Sequence, residues 1–133
     1  MLRDRIYDKH QAKPPLGITK SAIIVNGAYK ENNTGQLPIL LGGVSKLYFY
    51  LGNNLQYPAR ARTAQVEGTV IIAVTITRDG RIINEALQGE AGYGLGEEAL
   101  RVVKLFPDEW IPLQINGEAV DTRLFIPIRF KLS

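Results

Sequence analysis

The 133-residue sequence contains no cysteine and a single histidine, His10. Without thiols the chain can form neither a disulfide nor a cysteine-ligated metal site, and redox chemistry does not reveal its compartment. A multi-histidine metal site is excluded as well, and a Ser-His-Asp triad would depend on a residue of the presumed N-terminal tail. We therefore expect no metal, no cofactor and no catalytic residues.

The sequence also lacks a long apolar run. No segment approaches the ~20 apolar residues that a membrane-spanning helix needs, and no apolar stretch follows the charged N-terminus as it would in a signal peptide. As given, the chain is expected to be soluble. Its length suits one domain with its own hydrophobic core.

Positive charge is concentrated at one end of the chain. Residues 1–40 hold six Lys/Arg and three acids, whereas residues 41–133 hold ten of each. The neutral body lacks the basic stripe with interleaved aromatics that nucleic-acid binding requires. We therefore expect no nucleic acid among the partners.

Residues 68–88 carry the strongest secondary-structure pattern. Apolar residues at every second position from Val70 to Ile76 are typical of a half-buried strand. The Asp79-Gly80 dipeptide that follows is a strong signal for a tight hairpin turn. A second, wetter strand is predicted after the turn, with Ile83 and Leu87 facing the core.

One helix is predicted before this hairpin and another after it. Residues 44–55 have apolar residues at helical spacing and are followed by a Tyr-Pro pair that ends the helix. Residues 97–106 begin with two glutamates, which suit the positive end of a helix dipole, and end before a proline. The glycine-rich segment 89–96 lacks the spacing of a phosphate-binding loop and is interpreted as a connection.

The last strand is predicted over residues 120–132, after an Asn116-Gly117 turn. Pro127 lies in its middle, and because proline has no N–H to donate to a neighbouring strand, interior strands avoid it. The pattern therefore predicts an edge strand. Such an edge can accept an extended peptide as a further strand, although charges such as Arg129 and Lys131 also protect edges from pairing.

Residues 1–40 are predicted to be a tail or linker, and residues 41–133 the domain. Two adjacent prolines in the early part of this tail forbid a helix there. Residues 21–29 are compatible with a short extra strand that ends at an Asn-Gly turn. If that strand paired with residues 123–131, it would occupy any peptide site there.

A carboxylate pair is the remaining enzymatic alternative. The candidate acids are Glu85, Glu90, Glu97, Glu98, Asp108 and Glu109. They fall on a wet strand face, in a loop, at a helix start and in a turn, where acids are normally solvated. Trp110 beside Pro112 is more typical of a core aromatic than of a sugar-stacking residue. The sequence favours a binding domain over an enzyme.

Seven short segments occur in a specific order. They are QYPARAR at 56–62, VEGTV at 66–70, DGRI at 79–82, EEAL at 97–100, WIP at 110–112, NG at 116–117 and IPIRF at 126–130. Each is weak alone, but the series resembles the C-terminal domain of TonB across residues 40–133. The Gly42-Gly43 lead into the first helix resembles the versions found in Bacteroidetes-type bacteria.

The resemblance implies an α+β fold. Its sheet is expected to have three antiparallel strands, or four with the N-terminal strand, packed on two helices. It also implies a non-catalytic periplasmic module that binds the TonB-box peptide of outer-membrane receptors. Family members are anchored in the inner membrane, where a proton-channel complex energises them, and that anchor is missing from this sequence.

In the family, the peptide adds itself to the last strand, and the Tyr-Pro segment lies near the receptor. Carried over by position, the peptide-binding edge comprises Arg123, Leu124, Phe125, Ile126, Ile128, Arg129 and Lys131. The receptor-flanking residues are Gln56, Tyr57 and Pro58. The alternative is a soluble adaptor or dimerisation module that uses the same edge to form a homodimer.

Overall fold

The computed structural model describes residues 20–25, 27–32, 34, 36–41, 43–89, 92–107 and 110–132. Eight strands and three helices lie in these ranges. The strands are β1 (Lys20–Val25), β2 (Ala28–Glu31), β3 (Ile39–Leu40), β4 (Gly68–Ile76), β5 (Ile82–Gln88), β6 (Trp110–Ile111), β7 (Leu113–Ile115) and β8 (Glu118–Phe130). The helices are α1 (Val44–Asn54), α2 (Ala59–Thr63) and α3 (Leu95–Lys104). The fold is therefore α+β, as predicted, and no helix in these ranges is long and apolar enough to cross a membrane.

The main sheet is antiparallel and has the strand order β2-β1-β8-β4-β5, with β7 pairing the start of β8. The short strands β3 and β6 form a separate two-stranded ladder. The sheet is larger than the three or four strands expected from the sequence. The difference arises because the N-terminal segment contributes a whole hairpin, β1–β2, and because β7 precedes β8.

The Asp79-Gly80 turn predicted between β4 and β5 is confirmed. Gly80 has a φ of 84°, and its N–H donates to the carbonyl of Thr77 at 2.8 Å. The backbone of Trp110 rests directly on this turn, since its N–H donates to the Gly80 carbonyl at 3.3 Å. The turn is thus fixed both by its own glycine and by the β6 segment.

The predicted inward face of β5 is wrong at its first residues. Ile82 is buried, whereas Ile83 is 39% exposed. The register between β4 and β5 shifts between Ala73 and Thr75, and Asn84 adopts a positive φ of 54°. A β-bulge of this kind inserts one residue and moves the following side chains to the opposite face, which strict alternation does not anticipate.

The hydrophobic core lies between one face of the sheet and the helices. Alternate residues of β4 and β8 face it, and opposite residues such as Ile72 and Ile126 are both buried. The predicted helix faces are confirmed where their side chains are described. Leu47, Tyr48 and Leu51 of α1 and Ala99 and Val103 of α3 are buried as expected, and Leu95 and Val102 of α3 are buried in addition. Trp110 is a core residue, as predicted.

Candidate functional site

The nominated edge residues divide between two faces of β8. Leu124, Ile126 and Ile128 face the helices and are at most 1% exposed. Their side chains are therefore core residues, and only their backbone is available for pairing. The other face carries Arg123 and Phe125, which are half-buried. Arg129 and Lys131, the remaining two nominated residues, are exposed.

Each side of β8 has a different set of neighbours. On one side, β4 pairs with it continuously from Thr122 to Phe130. On the other side, β7 pairs with residues 118–120 and β1 with residues 121–125. Residues 126–130 have no strand partner on that side among the described residues.

The predicted edge position of the last strand is thus wrong over residues 121–125. The N-terminal segment, predicted as a possible single strand, forms a hairpin whose first strand completes the ladder there. Ser21 lies opposite Leu124, and Ala22 lies opposite Arg123. The condition stated from the sequence, that such a strand would occupy a peptide site on β8, applies to this half of the edge.

Pro127 separates the covered half of the β8 edge from its end. It has no N–H, and its carbonyl accepts a hydrogen bond of 2.8 Å from the buried hydroxyl of Tyr48 on α1. Proline cannot donate to a ladder, and no described strand pairs with residues 126–130 on the side opposite β4. The Tyr48 hydroxyl satisfies the carbonyl, which would otherwise lack a partner in the core. This contact fixes α1 beside β8 just beyond the last described β1–β8 pair, Lys20 with Phe125.

Arg123 is engaged within the sheet. One guanidinium nitrogen, Nη1, donates to the Thr75 hydroxyl at 2.9 Å and to the Asn84 carbonyl at 2.7 Å. Asn84 is the residue with positive φ beside the bulge in β5. The arginine therefore bridges three strands from β8 to β5, and its role in the isolated domain is structural.

The end of β8 borders an open cleft of about 310 Å³ lined by Glu67, Gly68, Thr69, Arg129, Phe130 and Lys131. The Glu67 carboxylate accepts a hydrogen bond of 2.8 Å from the Leu132 N–H and so holds the chain after the strand. Arg129 and Lys131 bring two cations to this cleft.

The three nominated flanking residues have different environments. Tyr57 is 5% exposed, packs edge-on against Phe130 with ring centroids 5.7 Å apart, and donates its hydroxyl proton to the Val66 carbonyl. It is therefore a core residue that supports the end of β8. Gln56 is exposed and Pro58 is half-buried, and these two retain surface for a partner.

Glu98 holds the Gln56 segment in place, a role that sequence reasoning missed. Its carboxylate accepts the Gln56 N–H at 2.8 Å and a two-pronged hydrogen bond from Arg101 at 2.9 and 2.8 Å. The bond to Glu98 raises the pKa of Arg101. Burial raises the pKa of nearby Tyr50, against the lowering effect of the Arg101 charge. The i, i+3 spacing of Glu98 and Arg101 is visible in the sequence, but the link to Gln56 is not.

The acids considered for catalysis are distributed as follows. Glu98 forms the links just described, while Glu85 and Glu97 lie on β5 and α3. Glu90, Asp108, Glu109 and His10 lie outside the described residues. In the part of the chain that is described, no group of three or more His, Asp or Glu side chains could hold a metal ion.

Fold and site define a class: a small α+β domain whose central feature is a long strand with an unequally occupied edge, backed by helices on one face of the sheet. The model of the Gram-negative bacterial TonB protein C-terminal family matches residues 53–132. The match covers more than half of the chain, and the chain belongs to this family.

Two relatives illustrate the match. Protein TonB of Vibrio cholerae serotype O1 is 35% identical over 78 residues, which cover 58% of this chain and 31% of that protein. The chain thus corresponds to about a third of the length of that relative. The NMR solution structure of Helicobacter pylori TonB-CTD (residues 194–285) is 24% identical with a TM-score of 0.49, covering 68% of this chain and 94% of that one.

Proposed function

We propose that the domain is the receptor-binding module of a TonB-type energy transducer. In this function it binds the TonB-box peptide of outer-membrane receptors without catalysing a reaction. It works in the periplasm, as part of a protein anchored in the inner membrane and energised there by a proton-channel complex. Membership of the TonB C-terminal family supports this role.

The observation that carries the proposal is the pairing behaviour of β8. One side of the strand is bonded along nine residues to β4, while the other side accepts an antiparallel strand that is remote in sequence. A strand edge that accepts β1 has the geometry to accept an extended peptide, whose backbone supplies affinity and whose alternate side chains supply specificity.

The second element of the site is the surface beside the end of β8. Arg129, Lys131, Gln56 and Pro58 supply it, because their side chains are exposed or half-buried. Leu124, Ile126 and Ile128 contribute backbone only. In this proposal Arg129 and Lys131 contact the peptide, while Arg123 and Tyr57 hold the edge in shape.

Titration of a synthetic TonB-box peptide into the ¹⁵N-labelled protein tests the function. We expect amide shifts along residues 123–131 and at Gln56, and no systematic shifts in β5 on the far side of the sheet. The control peptide has the same composition in scrambled order. The absence of shifts along residues 123–131 at millimolar peptide would exclude receptor binding at this edge.

The adaptor alternative uses the same edge for a second copy of the chain. Sedimentation velocity of the protein alone across a hundredfold concentration range distinguishes it, because only self-association raises the sedimentation coefficient with concentration when no peptide is present. A dimer that dissociates on addition of the TonB-box peptide would place both activities on one edge. A dimer that ignores the peptide would favour the adaptor.

A further inference from the structure

Strand β1 of the hairpin β1–β2 pairs with the part of the β8 edge that could offer a further strand the most regular backbone hydrogen bonds. Residues 126–130 have no described strand partner on this side, yet Pro127 gives no N–H and its carbonyl is already bonded to Tyr48. A strand confined to these residues would form few backbone bonds. A strand that extends across residues 121–125 would gain a regular ladder, but β1 is paired there.

Little side-chain burial holds the hairpin to the domain. Of the hairpin side chains that are described, only Ile23 is buried, at 8% exposure, and all of β2 is exposed. On β4, by contrast, Val70, Ile72 and Val74 are at most 2% exposed. Because apolar burial is the dominant favourable term in folding, the hairpin is held less firmly than β4.

Hydrogen bonds also hold the hairpin together, and a short segment connects it to the domain. The Asn32 side chain donates to the Ser21 hydroxyl at 2.8 Å and to the Gln36 carbonyl at 2.7 Å, which joins the start of β1 to the end of β2. Residues 32–38 connect it to β3, where Leu40 is 2% exposed in the core. A segment on so short a tether competes for its own site at high effective concentration.

We propose that the hairpin is a built-in competitor for the β8 edge and that a receptor peptide displaces β1 by strand exchange. The peptide first contacts residues 126–130 and the cations beside them, then extends along residues 121–125 as β1 leaves. This inference rests on the proposed function. Its consequence is that the apparent association constant equals the intrinsic association constant multiplied by the fraction of molecules whose hairpin is open.

The double variant Ile23→Cys/Thr122→Cys tests the competition, because the same protein can be studied with the hairpin locked and with the hairpin loosened. The two residues are opposite each other in the β1–β8 ladder. Opposite Cα atoms in antiparallel strands are about 4.5–5.5 Å apart, within the range that a disulfide spans. The chain has no other cysteine, so oxidation can form only this bridge within one molecule. The oxidised form locks the hairpin, and the reduced form loosens it by removing most of the Ile23 side chain.

Affinity for the synthetic TonB-box peptide is measured by calorimetry in both redox states. We expect the oxidised form to bind at least about tenfold more weakly than the reduced form, and the reduced form to bind at least as tightly as the unmodified chain. The matched control is Ile71→Cys/Gln88→Cys, a pair in the β4–β5 ladder on the far side of the sheet. Its two redox states should bind the peptide equally.

The outcomes separate the inference from the function on which it rests. Equal affinity in the two redox states of the β1–β8 variant would overturn the competition and leave receptor binding intact. Failure of the peptide to bind either state and the unmodified chain would overturn receptor binding at this edge, and the competition with it.

Discussion

Gly80 is the residue that ties the β4–β5 turn to Trp110. Its φ is +84°, and a Cβ at this position would lie 2.2 Å from the Trp110 carbonyl oxygen. A side chain here must pay both the left-handed backbone penalty of about 1–2 kcal/mol and a steric cost of similar or larger size. We expect Gly80→Ala to lower the free energy of unfolding by about 3 kcal/mol or more, measured by urea denaturation.

Gly117 is the matched control for Gly80. Its φ is +82°, but a Cβ there would meet nothing within 4 Å. Gly117→Ala should therefore show the backbone penalty alone, about 1–2 kcal/mol. Equal losses for the two variants would show that Trp110 yields to the added methyl group without cost.

The two arginines of the proposed edge should separate stability from binding. Arg123 donates to Thr75 and Asn84, so Arg123→Ala should lower the free energy of unfolding by about 1–2 kcal/mol. Arg129 is exposed, and Arg129→Ala should change it by less than about 0.5 kcal/mol. In the proposed function, Arg129→Ala weakens peptide binding. A large stability loss at Arg129 would contradict this division.

For single residues, the sequence predicted which face a side chain occupies better than which groups it contacts. The alternation along β8 assigned Leu124, Ile126 and Ile128 to one face, and all three are buried. The partners of Arg123 lie 39 and 48 residues away in the chain, so periodicity could not reveal them. Tyr57 was nominated by position for a partner's surface and lies in the core instead.

A buried hydrogen bond joins helix α1 to β8. Tyr48→Phe removes the hydroxyl that satisfies the Pro127 carbonyl, and leaving a buried acceptor unpaired costs about 1–3 kcal/mol. We expect a loss of about 2 kcal/mol in thermal or urea unfolding. The control is Tyr50→Phe on the same helix. Its bond to the Val102 carbonyl is 3.4 Å long and half-exposed, so its loss should stay below about 0.5 kcal/mol. Similar losses would assign no special role to the proline contact.

Individual helices and strands were predicted more reliably than the order in which the strands pair. The hairpin turn, both long helices and the last strand lie within two residues of the predicted bounds, because each rests on local periodicity and turn residues. Helix α3 and strand β8 each begin and end two residues earlier than predicted. Strand order depends on contacts between distant segments, and Pro127 was taken to require an edge. The described β1–β8 pairs end at Phe125, so the edge prediction holds locally at Pro127 among the described residues but is wrong over residues 121–125.

The candidate site was accordingly predicted in part. Its location on the last strand followed from the order of the seven sequence segments, and the family is established. The coverage of residues 121–125 by β1 was stated only as a possibility, since a short strand signal does not specify its partner. The Glu98 link to Gln56 is a contact across 42 residues with no local signature.

The whole molecule should show two levels of local stability. Amide hydrogen exchange is expected to be faster in β1, residues 21–25, than at residues 70–74 of β4, because β1 is bordered by an exposed strand and buries little. The β4 amides should exchange only on global unfolding. Equal protection in the two strands would show that the hairpin is an integral part of the cooperative core.

The two sides of β8 also differ in how they resist force, because their ladders are unequal in length. A pull along the strand axis loads the nine β4–β8 residue pairs together, in shear. A force applied to one end of the hairpin instead peels it from β8, so that its five pairs with β8 break one after another under a smaller load. Tension along β8 is therefore resisted chiefly by the nine pairs with β4, whereas β1 can be detached by a force on the hairpin.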